Sequence, residues 1–335
     1  IRKQRTAMKI CWHIWKNKSS DSSENKKDRR NKMLEIIKAI IYGIVEGITE
    51  WLPISSTGHL ILVERLIPFQ ETSEGFFDMF DVVIQLGAIL AVVVLFWNKI
   101  WPFYMKKNQQ TKKGGIVRSK KDFTVGNVAL SMDAFWMWVK IVVACIPAVV
   151  YGLLFDDAVS EAFKKEIGTS GVTVQVIVVA VMLVLVGVLF IVIENWNKNR
   201  VPTTTTLSQL TYRDALIIGF CQLVAAALPG TSRSGATILG AIMIGISRTV
   251  AAEFTFFLAI PVMFGASLLK VLKFGFAFTG MELACLLVGT VISFIVSLFV
   301  LRFLMGYIKK HDFKVFGWYR IVLGIIVLLY FLVFA

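Results

Sequence analysis

From about residue 34 onward, long apolar runs alternate with short polar breaks. The runs near 79–98, 134–155, 172–193, 249–270, 281–302 and 317–335 are each long enough to cross a hydrocarbon core, which takes ~20 helical residues. They predict an all-α integral membrane protein with about six transmembrane helices. Two further apolar segments are interrupted. Segment 34–52 ends at Pro53 and a shorter helix is expected over roughly 57–67, while segment 212–228 ends at Pro229-Gly230 and a helix is expected over roughly 233–246. Proline stops a helix, so each reads as a re-entrant hairpin that enters and leaves the membrane on one face. Non-helical backbone at membrane depth survives only where protein or a wet cavity satisfies its amides. Both turns should therefore line one internal pocket.

The two hairpins share a pattern. Glu46 to His59 reads EGITEWLPISSTGH and Gln222 to Gly235 reads QLVAAALPGTSRSG. In each, a polar residue stands seven positions before a Pro, and a hydroxyl pair follows at one offset, Ser55-Ser56 and Thr231-Ser232. The copies start 176 residues apart (222 − 46), which predicts two inverted repeats, about 33–155 and 172–335, in a single transmembrane domain.

Composition agrees: 56% of the 335 residues are hydrophobic and the mean hydropathy is +0.71, far from an ordinary soluble domain. The formal charge of +14 does not point to nucleic acid, because the basic residues sit in a tail and in loops without interleaved aromatics. Anionic lipid and positive-inside topology explain them. Loop 99–121 carries eight Lys and Arg, and the loops near 198–213 and 302–320 are also basic, whereas 156–171 mixes Asp156, Asp157, Glu161 and Glu166 with two lysines. That places 156–171 outside the cell, the mouth of the first hairpin outside and that of the second inside. Residues 1–32 read as a disordered basic tail, left outside against the rule, and Met33 is a candidate natural start. Cys11, Cys145, Cys221 and Cys285 lie far apart, three of them in apolar runs, and read as packing.

The chemistry sits in the turns. Glu46 and Glu50 are i and i+4, with Cβ atoms ~6 Å apart on one helix face. Two carboxylates inside a membrane need a cation, an Arg or a shared proton; a wet helix end is the plainer alternative. Ser55-Ser56-Thr57-Gly58-His59 opens a helix, whose N-terminal amides suit an anion, although Ser55 alone reads first as a cap. Ser56 with His59 three residues on, and Glu50 on the partner helix, is a nucleophile arrangement in general form. In the second turn Gly230, Thr231, Ser232, Arg233, Ser234 and Gly235 offer a guanidinium fork, three hydroxyls and open backbone, a set suited to phosphate. The plainer alternative for Arg233 is a structural pair with Glu46 or Glu50.

EGITEWLPISSTGHL and PGTSRSGATI resemble the two signature regions of the undecaprenyl pyrophosphate phosphatase family, the bacitracin-resistance type, and FDVVIQLGAILAVV resembles its next span. The likeness runs from Met33 to the C-terminus. It implies a bacterial plasma-membrane enzyme of interlocking inverted repeats that takes the terminal phosphate from undecaprenyl diphosphate with Mg²⁺ or Ca²⁺. The lipid carrier for cell-wall synthesis is thereby recycled. Residue by residue, the family's acidic motif falls on Glu46 and Glu50, its Ser on Ser56, its His on His59 and its Arg on Arg233. Glu46 and Glu50 are then the expected cation ligands, and Ser55, Thr57 and the second turn the expected phosphate ligands. The tail and the long loop 99–121 depart from the family pattern.

The expected mechanism has Arg233 and turn amides hold the diphosphate while Ser56 attacks the terminal phosphorus. Glu50 or His59 takes the Ser56 proton; direct attack by water is the alternative. A polyprenyl-phosphate transporter or flippase is the competing class, since broken helices in inverted repeats are a transporter architecture. The expected partners are a polyprenyl diphosphate lipid and the membrane, with a homodimer left open and the site opening outside the cell. Phe76, Phe77, Phe80, Phe254, Phe256 and Phe257 read first as helix packing and second as a prenyl groove.

Overall fold

A computed structural model describes residues 28–334, apart from 71, 106–121, 126, 164–165 and 168–171. The chain is built of helices: α1 over 28–49, α2 (Ser56–Leu66), α3 (Phe76–Ile100), α4 (Met132–Phe163), α5 (Val174–Asn197), α6 (Tyr212–Ala227), α7 (Arg233–Met243), α8 (Arg248–Phe274), α9 (Gly280–Tyr307) and α10 (Lys314–Phe334). Six of them, α3, α4, α5, α8, α9 and α10, are long and apolar enough to cross a membrane. Their outward faces carry Leu153, Phe264, Phe299, Phe303 and Val333 in exposed positions. Only a lipid environment makes such an apolar exterior stable.

Most of residues 1–32 lies outside the described residues, and 28–32 belong to α1. The expected basic loop 99–121 is described only at its start. Phe103–Met105 (β1), at that start, and Phe123–Val125 (β2) and Val128–Leu130 (β3), beyond the loop, form a small antiparallel sheet in the order β1-β3-β2. The expected loop at 156–171 differs: α4 continues to Phe163, and Glu166–Ile167 (β4) then pairs with Val172–Thr173 (β5). These pairings add local strands outside the spans and leave the helical class unchanged.

The second half of the chain runs through its helices in the same order as the first. α1 and α2, joined by the Pro53 turn, stand to α3, α4 and α5 as α6 and α7 stand to α8, α9 and α10. α3 packs on α8 and α5 on α10, so corresponding helices of the two halves meet. A Cβ on Gly43 of α1 would come 2.6 Å from the Gly289 carbonyl oxygen of α9, and one on Gly219 of α6 would come 2.4 Å from the Ala144 carbonyl oxygen of α4. In each half the first helix of the series thus lies on the fourth helix of the other half. Small residues allow that approach where lipid supplies no hydrophobic drive between helices.

Local sequence explains the helix ends. Thr211 with Asp214, and Thr279 with Glu282, form reciprocal capping boxes at α6 and α9, so two otherwise orphaned amides are satisfied at each start. Five of the six candidate prenyl phenylalanines, Phe76, Phe80, Phe254, Phe256 and Phe257, are fully buried core, and Phe77 is half-buried. Phe256 meets Trp51 edge-on at 5.3 Å, and Phe76 and Phe80 pack with Phe69. These rings hold the helices that carry the two turns.

Candidate active site

Each turn ends in a serine that caps a short helix. Ser55 Oγ accepts from Gly58 N at 3.4 Å and Ser232 Oγ from Gly235 N at 3.1 Å. Both serines have positive φ, 74° and 69°. The structural correspondence is therefore Ser55 with Ser232 and Ser56 with Arg233, one position away from the hydroxyl-pair register of the sequence. Gly230, at φ +87°, supplies the extra residue of the second turn. A Cβ there would meet Val179 Cα at 2.6 Å, so glycine is required on both counts.

Across the gap between the hairpins, Glu50 is the meeting point. Its Oε2 accepts from Ser56 Oγ at 2.9 Å and its Oε1 from Arg233 Nη2 at 2.7 Å. Its backbone carbonyl accepts from Ser234 Oγ at 3.1 Å. Glu50 and Arg233 are both largely withdrawn from solvent, where an Arg–carboxylate bond is strong and its breakage costly. One carboxylate thus orients the serine hydroxyl and the guanidinium together. The Arg233 Nη1 nitrogen is buried without a partner, leaving a charged donor for an anion.

Glu46 lies on α1 one turn before Glu50 and is fully buried, with neither carboxylate oxygen bonded. A buried carboxylate in that state calls for a cation or a proton, and the Glu46–Glu50 pair fits a divalent ion with oxygen ligands. Among the described residues no group of three or more His, Cys, Asp and Glu gathers. Further ligands to such an ion would have to come from substrate or water.

Both ring nitrogens of His59 are engaged by groups other than the Ser56 hydroxyl. Its Nδ1 lies 2.7 Å from the Ser55 carbonyl oxygen and its Nε2 lies 2.7 Å from the Tyr319 hydroxyl. Because a carbonyl only accepts, Nδ1 carries the proton and Nε2 receives the Tyr319 O–H. The rings of His59 and Tyr319 stack at 5.6 Å. Tyr319 was not singled out by sequence, and nothing in the apolar run of α10 marks it.

The same helix supplies a second residue that the sequence reading missed. Arg320 is fully buried and donates to carbonyl oxygens of both turns: Pro53 at 3.3 Å, Gly230 at 2.8 Å and Thr231 at 2.9 Å. A cation within a span is costly and has a reason to be there; here it ties the two turns into one unit. The remaining hydroxyls are spent inside that unit. Thr231 Oγ1 donates to Leu228 O at 2.6 Å, and the Ser232 and Ser234 hydroxyls are 3.2 Å apart. Thr57 is half-buried at the first turn of α2. Of the expected phosphate ligands, Thr231, Ser232 and Ser234 thus have their hydroxyls engaged within the turns.

The profile of the bacitracin resistance protein BacA family matches residues 39–326, most of the chain. The chain belongs to this family. Among its relatives is the undecaprenyl-diphosphatase of Desulfitobacterium hafniense, 57% identical over 299 residues, which span 89% of this chain and 97% of that protein. The undecaprenyl-diphosphatase of Enterococcus faecalis is 55% identical over 296 residues, 88% and 97% of the two chains. That of Acetivibrio thermocellus is 55% identical over 300 residues, 90% and 99%. The matched BacA segment takes in both turns, Glu46, Glu50, Ser56, His59, Arg233, Tyr319 and Arg320.

Proposed function

We propose that this membrane protein hydrolyses undecaprenyl diphosphate to undecaprenyl phosphate and inorganic phosphate, recycling the carrier lipid for cell-wall synthesis and giving bacitracin resistance. The observation that carries the reading is the junction at Glu50, where Ser56 and Arg233 arrive from opposite hairpins on one carboxylate. A pure anion carrier needs the guanidinium but has no use for a hydroxyl aligned on a buried base.

Arg233 and the N-terminal amides of α2 and α7 hold the diphosphate. Ser56 Oγ attacks the terminal phosphorus and Glu50 takes its proton. The bond from that phosphorus to the bridging oxygen breaks, and the bridging oxygen leaves on the lipid monophosphate. Water then releases phosphate from Ser56. His59, held at Nδ1 by Ser55, orients the start of α2, and its Nε2 takes a proton from that water once the Tyr319 hydroxyl turns away. Glu46 and Glu50 would hold a divalent cation, Mg²⁺ or Ca²⁺, which screens the charge of the diphosphate.

Positive-inside counting supports a bacterial plasma-membrane location with the first hairpin, and with it the site, opening outside the cell. The test is phosphate release from undecaprenyl diphosphate by the purified protein, with and without EDTA, beside Arg233→Ala and Glu50→Ala. Metal-dependent release that both substitutions abolish is expected. A folded wild type that binds the lipid and releases nothing would favour the carrier function instead.

A further inference from the structure

One cavity among the described residues lies away from the two turns. It holds about 490 Å³ at the other end of α7, where the end of α5, the segment after it and the start of α8 converge. That volume is in the range of small-molecule sites. Ten residues separate Arg233 from Met243, so the cavity lies ~15 Å from the Glu50 junction along the α7 axis.

The cavity is built rather than left over. Thr203 N and Thr204 N both donate to the Gly245 carbonyl oxygen, at 2.9 and 3.3 Å, and Ser247 N donates to Thr204 O at 2.9 Å. A Cβ on Gly245, which sits at φ +91°, would strike Thr203 Oγ1 at 2.8 Å. The wall therefore depends on that glycine.

Its lining includes Lys198, Arg200 and Arg248 and no acidic residue. Arg248 is aimed from behind: the buried Glu194 carboxylate accepts from its Nε at 2.9 Å and also bonds Nη2. Arg200 lies over the Trp196 ring, 3.6 Å from its centroid, a cation–π contact that orders the side chain. Neither Lys198 nor Arg200 has a carboxylate partner among the described residues. After Glu194 neutralises one of the three cations, two positive charges remain unanswered around a preformed hollow. Exposed Val201 and Met243 give its rim an apolar edge, as a bilayer interface requires. The cavity at the foot of the first hairpin has the opposite character, with Glu64 and Asp78 in its lining. Basic residues are thus not a requirement of the hairpin foot itself.

We propose that this cavity is a second phosphate-binding site, distinct from the one at Glu50, on the membrane face from which the second hairpin enters. It takes a phosphate group in the Lys198–Arg200–Arg248 hollow, carried by a lipid headgroup or free in solution.

The test is binding to the purified full-length protein in detergent, read by native mass spectrometry in an Arg233→Ala background that disables the first site. The probes are dioleoyl phosphatidic acid, dioleoyl phosphatidylcholine and inorganic phosphate. Retention of phosphatidic acid at least tenfold above phosphatidylcholine, lost in Lys198→Gln/Arg200→Gln, is expected for a lipid source. Retained inorganic phosphate that displaces phosphatidic acid, with the same loss in the double variant, identifies free phosphate as the ligand. Equal retention of all three probes, or binding unchanged in the double variant, overturns the proposal. Phosphate release from undecaprenyl diphosphate by the double variant with Arg233 intact should stay within twofold of wild type, which shows that it folds.

Discussion

Ser55 and Ser232 adopt a backbone conformation that no other non-glycine among the described residues shares, with φ of 74° and 69°. Each caps the helix that follows and each sits where its turn meets the other hairpin. Such residues cost about 1–3 kcal/mol apiece and persist only where surroundings over-determine them. Here the surroundings are the caps to Gly58 and Gly235 and the carbonyl bonds of Arg320. The strain keeps the α2 and α7 N-termini, with Ser56 and Arg233, pointed at one place.

Replacing either serine separates cap from strain. Ala removes the capping hydroxyl and keeps the unfavourable φ, whereas Gly removes the cap and relieves the backbone. Ser232→Ala should therefore lower stability by about 1 kcal/mol more than Ser232→Gly, and Ser55 should show the same order. Thermal midpoints of the four variants in detergent check this. Alanine variants as stable as the glycine ones would mean that φ is not held as described.

Glu50→Gln leaves Ser56 without a base and Arg233 without its countercharge. Phosphate release should fall by about 10²–10⁴-fold while diphosphate lipid is still bound through Arg233. Adding Ser56→Ala should cost little more, because the two side chains act as one unit. Rates of the single and double variants decide it: losses that multiply would show that Ser56 and Glu50 work independently.

Arg320 carries a prediction of a different kind. Arg320→Met orphans carbonyl oxygens in both turns, each worth about 1–3 kcal/mol when buried without a donor. Stability and turnover should therefore fall together, although Arg320 reaches neither Glu50 nor Ser56. Arg320→Lys retains the charge without the planar fork, and should recover part of the thermal midpoint but little of kcat. A Lys variant with wild-type kcat would reduce Arg320 to a charge.

How much of this was legible beforehand follows from where each signal resides. The spans, the hairpins and the residues at Glu50 are local: apolar length, a proline, and polar atoms crowded into a few positions. The register of the two turns was off by one because Gly230 adds a residue, and an offset counted from the prolines cannot see a φ. Arg320 and Tyr319 were invisible for another reason. They stand in an apolar run, and their partners lie far away in sequence, Pro53 and His59 among them, so only the folded chain brings them to the turns. His59 was placed near Ser56 by helical spacing, but its two ring nitrogens are taken by Ser55 and Tyr319.

The crossing of the two halves can be tested at Gly43 and Gly219. A methyl at either would approach a carbonyl oxygen of the facing helix at 2.6 or 2.4 Å, closer than packed atoms tolerate, so the helices must part. Alanine is otherwise the better helix former by nearly 1 kcal/mol, so any loss has to come from packing. Gly43→Ala and Gly219→Ala should each cost about 1–3 kcal/mol. Gly306→Ala, in α9 with nothing near its Cβ, should be neutral or stabilising. The comparison is internal: all three add one methyl to an apolar helix, and only two of them meet a facing helix. Thermal midpoints for Gly43→Ala or Gly219→Ala equal to that of Gly306→Ala would show that α1 and α6 do not lie on α9 and α4 at this distance.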